Sequence, residues 1–340
     1  MKVLVVGVGS IGNRHIDNLF SIGINKISVC DNDRLKLSKI EKEYSDIHVH
    51  NDYLAALESN PDVVFICTPP NSHTPILEKA IKMNCHVFCE KPVSNELGDL
   101  IRLDSIAKEK GLKIMIGYVM RFMEPIKKIK EILSSGQLGT INYSRTIVSQ
   151  YLPDWHPWED YRKFFVSQKD KGGGALLEES HAIDYITWFM GEVKNVNCFN
   201  RKIGNLDMDC ENISILNLEF NSGAISNIHL DLLGRVLRKE TEISCENGTI
   251  HWDSERNLLR LYEAGKDDWL EYNLPVGPEV YIDQIEHFFE CVYKDKTPLI
   301  TLGDGIETLR ICLAGFKSSD ERRLVNLEEI NNTTKVQRII

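Results

Sequence analysis

A chain of 340 residues is longer than one hydrophobic core comfortably serves, so two domains are expected. Hydrophobic residues at 42% and charged ones at 26%, with no low-complexity tract, exclude a disordered chain. Acidic residues outnumber basic ones to leave a net charge of -10, and no basic patch offsets it, which argues against nucleic acid or an anionic membrane as partner.

The opening run Met1–Gly7 is too short to span a bilayer and is broken by glycine, which predicts no export signal and a cytoplasmic location. Nine cysteines, an odd number, with Cys30, Cys67, Cys245 and Cys312 inside apolar runs, fit a reducing compartment. Cys85-His86-x-x-Cys89 could be half a metal site, but no second Cys/His pair stands at ligand spacing and Val87-Phe88 read as buried strand. No metal is expected.

From residue 2 to 116 short apolar runs alternate with amphipathic stretches. Strands are predicted over 3–8, 26–30, 63–68, 86–89 and 113–116, and helices over 13–22, 33–43, 73–83 and 95–109. That alternation predicts an α/β fold, a doubly wound parallel sheet of Rossmann type over residues 1–120. Val3-Leu4-Val5-Val6 and Val63-Val64-Phe65-Ile66 lack polar alternation, as strands covered on both faces should.

Gly7-Val8-Gly9-Ser10-Ile11-Gly12 follows the first strand and opens the first helix, the context that makes a G-x-G-x-x-G pattern specific for a dinucleotide. The glycines give a tight turn, close approach of a pyrophosphate to the backbone, and close packing of helix on strand; the phosphates meet the N-terminus of the helix. Asp31 closes the second strand, where a carboxylate accepts from the adenine ribose hydroxyls and repels a 2′-phosphate. NAD is therefore expected over NADP, although Arg34 lies close enough to accommodate a phosphate. Thr68-Pro69-Pro70-Asn71-Ser72-His73 and Glu90-Lys91-Pro92 each follow a strand, so Thr68, Pro69, Asn71, His73, Glu90 and Lys91 are expected to line the same cofactor crevice.

After Gly117 the pattern changes. A helix over 124–135, a glycine-punctuated stretch and a helix over 175–190 precede period-two runs over 210–233 and 240–274, with turns at Asn221-Ser222-Gly223 and Glu246-Asn247-Gly248. Helices over 279–294 and 303–319 bracket Lys296-Thr297-Pro298. The reading is an α+β domain over 121–340 with a large open, mainly antiparallel sheet, hinged near Gly117–Arg121. Between the helices, residues 151–162 are dense in aromatics. Trp158 and its neighbours suit stacking on a pyranose, or else pack the segment on the sheet. Arg121 and Arg162 are candidates to pair with an anionic substituent.

In this order the glycine loop, Thr-Pro-x-x-x-His, Glu-Lys-Pro, Gly117-Tyr118-x-x-Arg121-Phe122, the helix opened by Gly172-Gly173-Gly174 and carrying His181-x-x-Asp184, and the closing Pro298…Asp304-Gly305 resemble the Gfo/Idh/MocA oxidoreductases over nearly the whole chain. The resemblance implies that Lys91 and His181 flank the carbon that exchanges hydride with nicotinamide C4. A secondary alcohol that loses hydride must also lose its hydroxyl proton, so a base has to lie within hydrogen-bond reach. His181 is assigned the acid/base role and Lys91 the electrostatic one, with the reverse left open; Tyr118 and Asp184 are expected at the substrate. One departure is that Leu177 stands where the family usually has aspartate, so Glu178 is expected to reach the substrate instead, with Glu179 facing solvent.

The resemblance thus implies an NAD(P)-dependent enzyme acting on a secondary hydroxyl or ketone of a sugar, cyclitol or sugar derivative, including nucleotide-activated sugars and sugar acids of surface glycans. It also implies a homodimer or homotetramer. Two rival readings share the fold: a glycosidase that oxidises transiently and then eliminates, and a regulator that binds dinucleotide without catalysis.

Overall fold

The computed structural model describes residues 1–44, 46–155, 157–332 and 334. The chain divides into two compact units. The first holds Met1–Tyr118 and Pro278–Ile306, and the second holds Val119–Gly277 and the described residues from Glu307 onward. A single boundary at residue 120 was expected; instead the segment beginning at Pro278 returns to the first unit before the chain rejoins the second.

The first unit is built on six parallel strands in the order β3-β2-β1-β4-β5-β6. They are β1 (Val3–Val6), β2 (Ile27–Cys30), β3 (His48–His50), β4 (Val63–Ile66), β5 (His86–Cys89) and β6 (Ile114–Ile116), separated by helices α1 (Ser10–Ser21), α2 (Arg34–Glu43), α3 (Tyr53–Leu57), α4 (His73–Lys82) and α5 (Leu100–Glu109). β1 and β4 are buried at every position because helices cover both faces. This strand order reverses direction between β1 and β4, and ligands of such sheets bind beyond the carboxyl ends of the strands at that reversal.

The second unit carries nine strands in the order β14-β13-β12-β11-β7-β10-β9-β8-β15. In chain order they are β7 (Ile141–Tyr151), β8 (Val193–Arg201), β9 (Ile213–Phe220), β10 (Ile225–Asp231), β11 (Leu233–Cys245), β12 (Gly248–Asp253), β13 (Leu258–Glu263), β14 (Leu270–Asn273) and β15 (Val325–Asn326). All neighbours pair antiparallel except β7 and β10, which run parallel. The sheet is therefore mixed and mainly antiparallel, as the alternation in the sequence indicated. Asn221-Ser222-Gly223 joins β9 to β10, and Glu246-Asn247 joins β11 to β12.

Helices α6 (Glu124–Ser134), α7 (Ala175–Glu178), α8 (His181–Met190) and α10 (Leu302–Glu321) complete the fold, with α9 (Val280–Tyr293) in the first unit. The helix expected over 175–190 is broken at Glu179-Ser180, where Ser180 Oγ donates to the carbonyl of Leu177 at 2.7 Å. A serine that satisfies a carbonyl of the preceding turn offers the backbone an alternative to continuing the helix. Among the described residues, no helix is long and apolar enough to cross a membrane.

Candidate active site

The glycine loop fits a dinucleotide by what it excludes and what it leaves open. Gly7 has φ +95°, and a Cβ there would lie 2.7 Å from the backbone of Cys67; a Cβ on Gly12 would lie 1.9 Å from the Gly7 carbonyl. These two glycines lock α1 against β1 and β4. A Cβ on Gly9 would meet nothing within 4 Å, so the space over that residue is open for a ligand. Gly9 stands just ahead of α1, whose first turn is capped by no side chain, with Ser10 exposed and Ile11 partly exposed. Free N–H groups and the positive end of the helix dipole therefore face the place where a pyrophosphate fits.

Gly12→Ala tests this packing. The methyl must push α1 off β1, so NADH affinity is expected to fall by about tenfold or more, equivalent to about 1.4 kcal/mol, together with a lower melting temperature. Unchanged affinity by calorimetry would contradict the role given to Gly12.

Asp31 is fixed as an acceptor. Val8 N donates to its Oδ2 at 2.9 Å and Asp33 N to its Oδ1 at 2.9 Å, so the carboxylate is held in place at the end of β2. On the next loop the Ser72 hydroxyl lies 2.7 Å from Thr68 Oγ1 and 2.8 Å from the Pro69 carbonyl. His73 is fully buried, with Nε2 2.7 Å from the Thr68 carbonyl and Nδ1 3.0 Å from that of Pro92. Burial holds its pKa below the usual histidine range, opposed by those backbone contacts. The ring thus ties the Thr68-Pro69-Pro70 loop to the Glu90-Lys91-Pro92 loop, and its part in cofactor binding is to shape both. Asn71 is exposed, while Thr68 and Pro69 are partly exposed.

Glu90 is likewise turned into the protein. Its Oε1 lies 2.6 Å from His15 Nε2, and its Oε2 accepts from Lys91 N at 3.2 Å. Lys91 itself is partly exposed. Direct contact of Glu90 with the cofactor was expected; its carboxylate is instead spent inside the unit. His15 was not singled out from the sequence, although its place three residues after Gly12 puts it on the inward stripe of α1 with Ile16 and Leu19.

In the second unit, His181 is the first residue of α8 and partly exposed. Glu178 ends α7 and is partly buried. Because the helix breaks between them, a helical three-residue spacing does not relate Glu178 to His181. Glu179 is not at the surface: it is 4% exposed, and the Gln150 side-chain amide donates to it. Asp184 is fully buried and takes a two-pronged contact from Arg121, whose Nε and Nη2 donate to Oδ2 at 2.9 Å and Oδ1 at 2.7 Å. The Arg121 guanidinium also lies 5.2 Å from the centroid of the Trp188 ring. Asp184 and Arg121, both expected at the substrate, are thus paired with one another. Tyr118, the last residue of the first unit, is fully buried.

The aromatic segment packs. Tyr151, Trp155, Tyr161, Phe164 and Phe165 lie against a cluster that includes Leu152, Val166, Leu206, Met208 and Leu232. Tyr161 Oη accepts from Asp207 N at 3.0 Å. Trp158 stands apart at 76% exposure, and Arg162 is exposed with its guanidinium on Asp160 at 2.7 and 2.8 Å. His156 lies outside the described residues.

Residues 1–118 match the model of an oxidoreductase family with an NAD-binding Rossmann fold, and residues 126–251 match the C-terminal domain of the same family. The chain belongs to the GFO/IDH/MocA family. It is an oxidoreductase of an NAD-binding family, and two relatives that match it over nearly its whole length are inositol dehydrogenases. Myo-inositol 2-dehydrogenase of Thermotoga maritima is 29% identical over 352 residues, spanning 97% of this chain and 99% of that one. The scyllo-inositol 2-dehydrogenase (NAD(+)) of Bacillus subtilis is 26% identical over 338 residues and 94% of each chain. Among solved structures, levoglucosan dehydrogenase in complex with NADH shares the fold at a TM-score of 0.85 and 19% identity, covering 96% of this chain and 99% of that one. As a GFO/IDH/MocA member the chain shares the two-part architecture described above.

Proposed function

We propose that this GFO/IDH/MocA member oxidises a secondary hydroxyl on a neutral polyol ring, a cyclitol or a pyranose, to the ketone, or runs the reverse, with NAD(H) as the redox partner. A nicotinamide held over the glycine loop would supply the hydride acceptor or donor. His181 takes the hydroxyl proton, and Lys91 offers its charge to the same oxygen as negative charge builds there. Glu178 accepts from a neighbouring ring hydroxyl.

The observation that carries the polyol reading, beside the inositol dehydrogenases that match over the whole chain, is that the two arginines considered for an anionic substituent hold carboxylates of the chain. Arg121 engages Asp184 and Arg162 engages Asp160. A bidentate pair uses the guanidinium edge that a sugar acid or a nucleotide phosphate would require. Neutral rings are therefore favoured over sugar acids and nucleotide-activated sugars.

The test is absorbance at 340 nm with NAD or NADP and a panel of myo-inositol, scyllo-inositol, neutral pyranoses, hexuronic acids and nucleotide sugars. Net NADH formation on a neutral ring is expected. Product formation without net NADH would favour transient oxidation and elimination, and turnover confined to the anionic substrates would overturn the neutral-ring reading. NADH is expected to bind more tightly than NADPH because the Asp31 carboxylate is fixed at the end of β2, where a 2′-phosphate would have to lie. Asp31→Ala should narrow that preference by about tenfold, the loss of about 1.4 kcal/mol of discrimination. Tighter NADPH binding by the unaltered chain would reverse the assignment.

A further inference from the structure

The first unit contains a buried histidine–carboxylate pair beside the lysine assigned to the reaction. His15 is fully buried on α1, and Glu90, 8% exposed, follows β5. The His15 ring packs at centroid distances of 5.4 Å from Phe65 and 5.1 Å from Phe88, and its Nδ1 has no hydrogen-bond partner among the described residues. A buried N–H without an acceptor is costly, so the proton belongs on Nε2, which donates to Glu90 Oε1 at 2.6 Å. The ring thereby holds the carboxylate from one side.

The carboxylate is closely packed. A Cβ on Gly117 would lie 2.9 Å from Glu90 Oε2 and 3.1 Å from Cδ, so glycine there makes room for the group and walls its other side. Oε2 in turn accepts from Lys91 N at 3.2 Å. Cys67 beyond β4, Cys89 on β5, His73 on α4 and Tyr281 on α9 lie near enough to feel this charge. Tyr281 is raised above its usual pKa chiefly by burial, with Arg14 and Lys91 pulling down and Glu90 pushing up. The carboxylate and the ammonium of Lys91 therefore act on one phenol, over which the Arg14 guanidinium also sits at 4.5 Å.

We propose that His15 is a positioning residue: through Glu90 it fixes a negative charge beside Lys91 and so favours the ammonium form of that lysine. The proposal rests on the role given to Lys91 in the reaction and says what readies it. It also explains why the pair is worth burying. A buried carboxylate costs solvation that packing alone would not recover, whereas a fixed charge at a reacting lysine has a use.

The test reads the lysine directly and needs no substrate. Reductive methylation of the full chain with 13C-formaldehyde marks every amine, and the NMR signal lost in Lys91→Arg identifies Lys91. In Glu90→Gln its titration midpoint is expected to fall by about one pH unit, the usual size of losing an adjacent opposite charge. His15→Phe, which keeps the aromatic packing but removes the donor, should move the midpoint in the same direction, and His15→Gln, which restores a donor, should bring it back. If His15→Phe does not fold, Glu90→Gln and His15→Gln decide the matter. An unchanged midpoint in folded Glu90→Gln overturns the proposal. It leaves the reaction reading intact, since the part given to Lys91 there is tested separately and fails if Lys91→Ala keeps full turnover in the polyol assay.

Discussion

His181→Ala is expected to lower kcat by roughly 10²–10⁴-fold, the contribution of a positioned general acid or base, with the dissociation constant for NADH nearly unchanged. The argument begins with the helix. Ser180 closes the turn from α7 and leaves His181 at the head of α8, partly exposed, where an imidazole can meet a ligand. Asp184, one turn on, takes donors from Arg121 on both of its oxygens. Added imidazole should restore part of the activity of His181→Ala, because the missing element is a proton acceptor and not a scaffold. Full turnover in His181→Ala would remove the assignment. A loss that imidazole cannot restore, coupled with weakened NADH binding, would make the residue structural.

The sequence spoke most clearly where a residue's surroundings are set by its near neighbours. The strands of the first unit were legible because helices on both faces require unbroken apolar runs, and Gly7 and Gly12 because a tight loop leaves no room for a side chain. β3 was missed because His48-Val49-His50 is a short edge strand, half exposed, with a single apolar residue to mark it. β7, β8 and the parallel β7–β10 pair were missed because they depend on pairings distant in sequence, such as Ile225 with Tyr143. The site shows the same division. That a glycine loop opens α1 was readable from spacing, but that the His15 ring meets Glu90 was not, since the two are joined only when β5 comes to lie beside β4. The return of residues 278–306 to the first unit, which delivers Tyr281 to the neighbourhood of Lys91, leaves no local mark at all.

Arg121→Met is expected to destabilise the protein by about 3–5 kcal/mol, because it strands the carboxylate of Asp184 without its cation in a site closed to water. Arg121 is 3% exposed and Asp184 fully buried, so neither can turn to solvent when the other is lost. The surrounding charge does not compensate: Lys130 approaches the same Trp188 ring at 5.3 Å but gives its amine to the Trp188 carbonyl at 2.6 Å, and burial together with Arg121 holds its pKa below the usual lysine range. The double variant Arg121→Met with Asp184→Leu should be more stable than Arg121→Met alone, since removing both charges abolishes the solvation cost that removing one exposes. Urea unfolding followed by tryptophan fluorescence measures both, and it also separates two uses of the pair. If Arg121 served chiefly to bind an anionic substrate, Arg121→Met would keep its unfolding midpoint and lose only substrate affinity. A pair that joins the turn at Val119–Phe122 to the helix bearing His181 predicts the opposite order: the midpoint falls first, and turnover falls with it as α8 loosens.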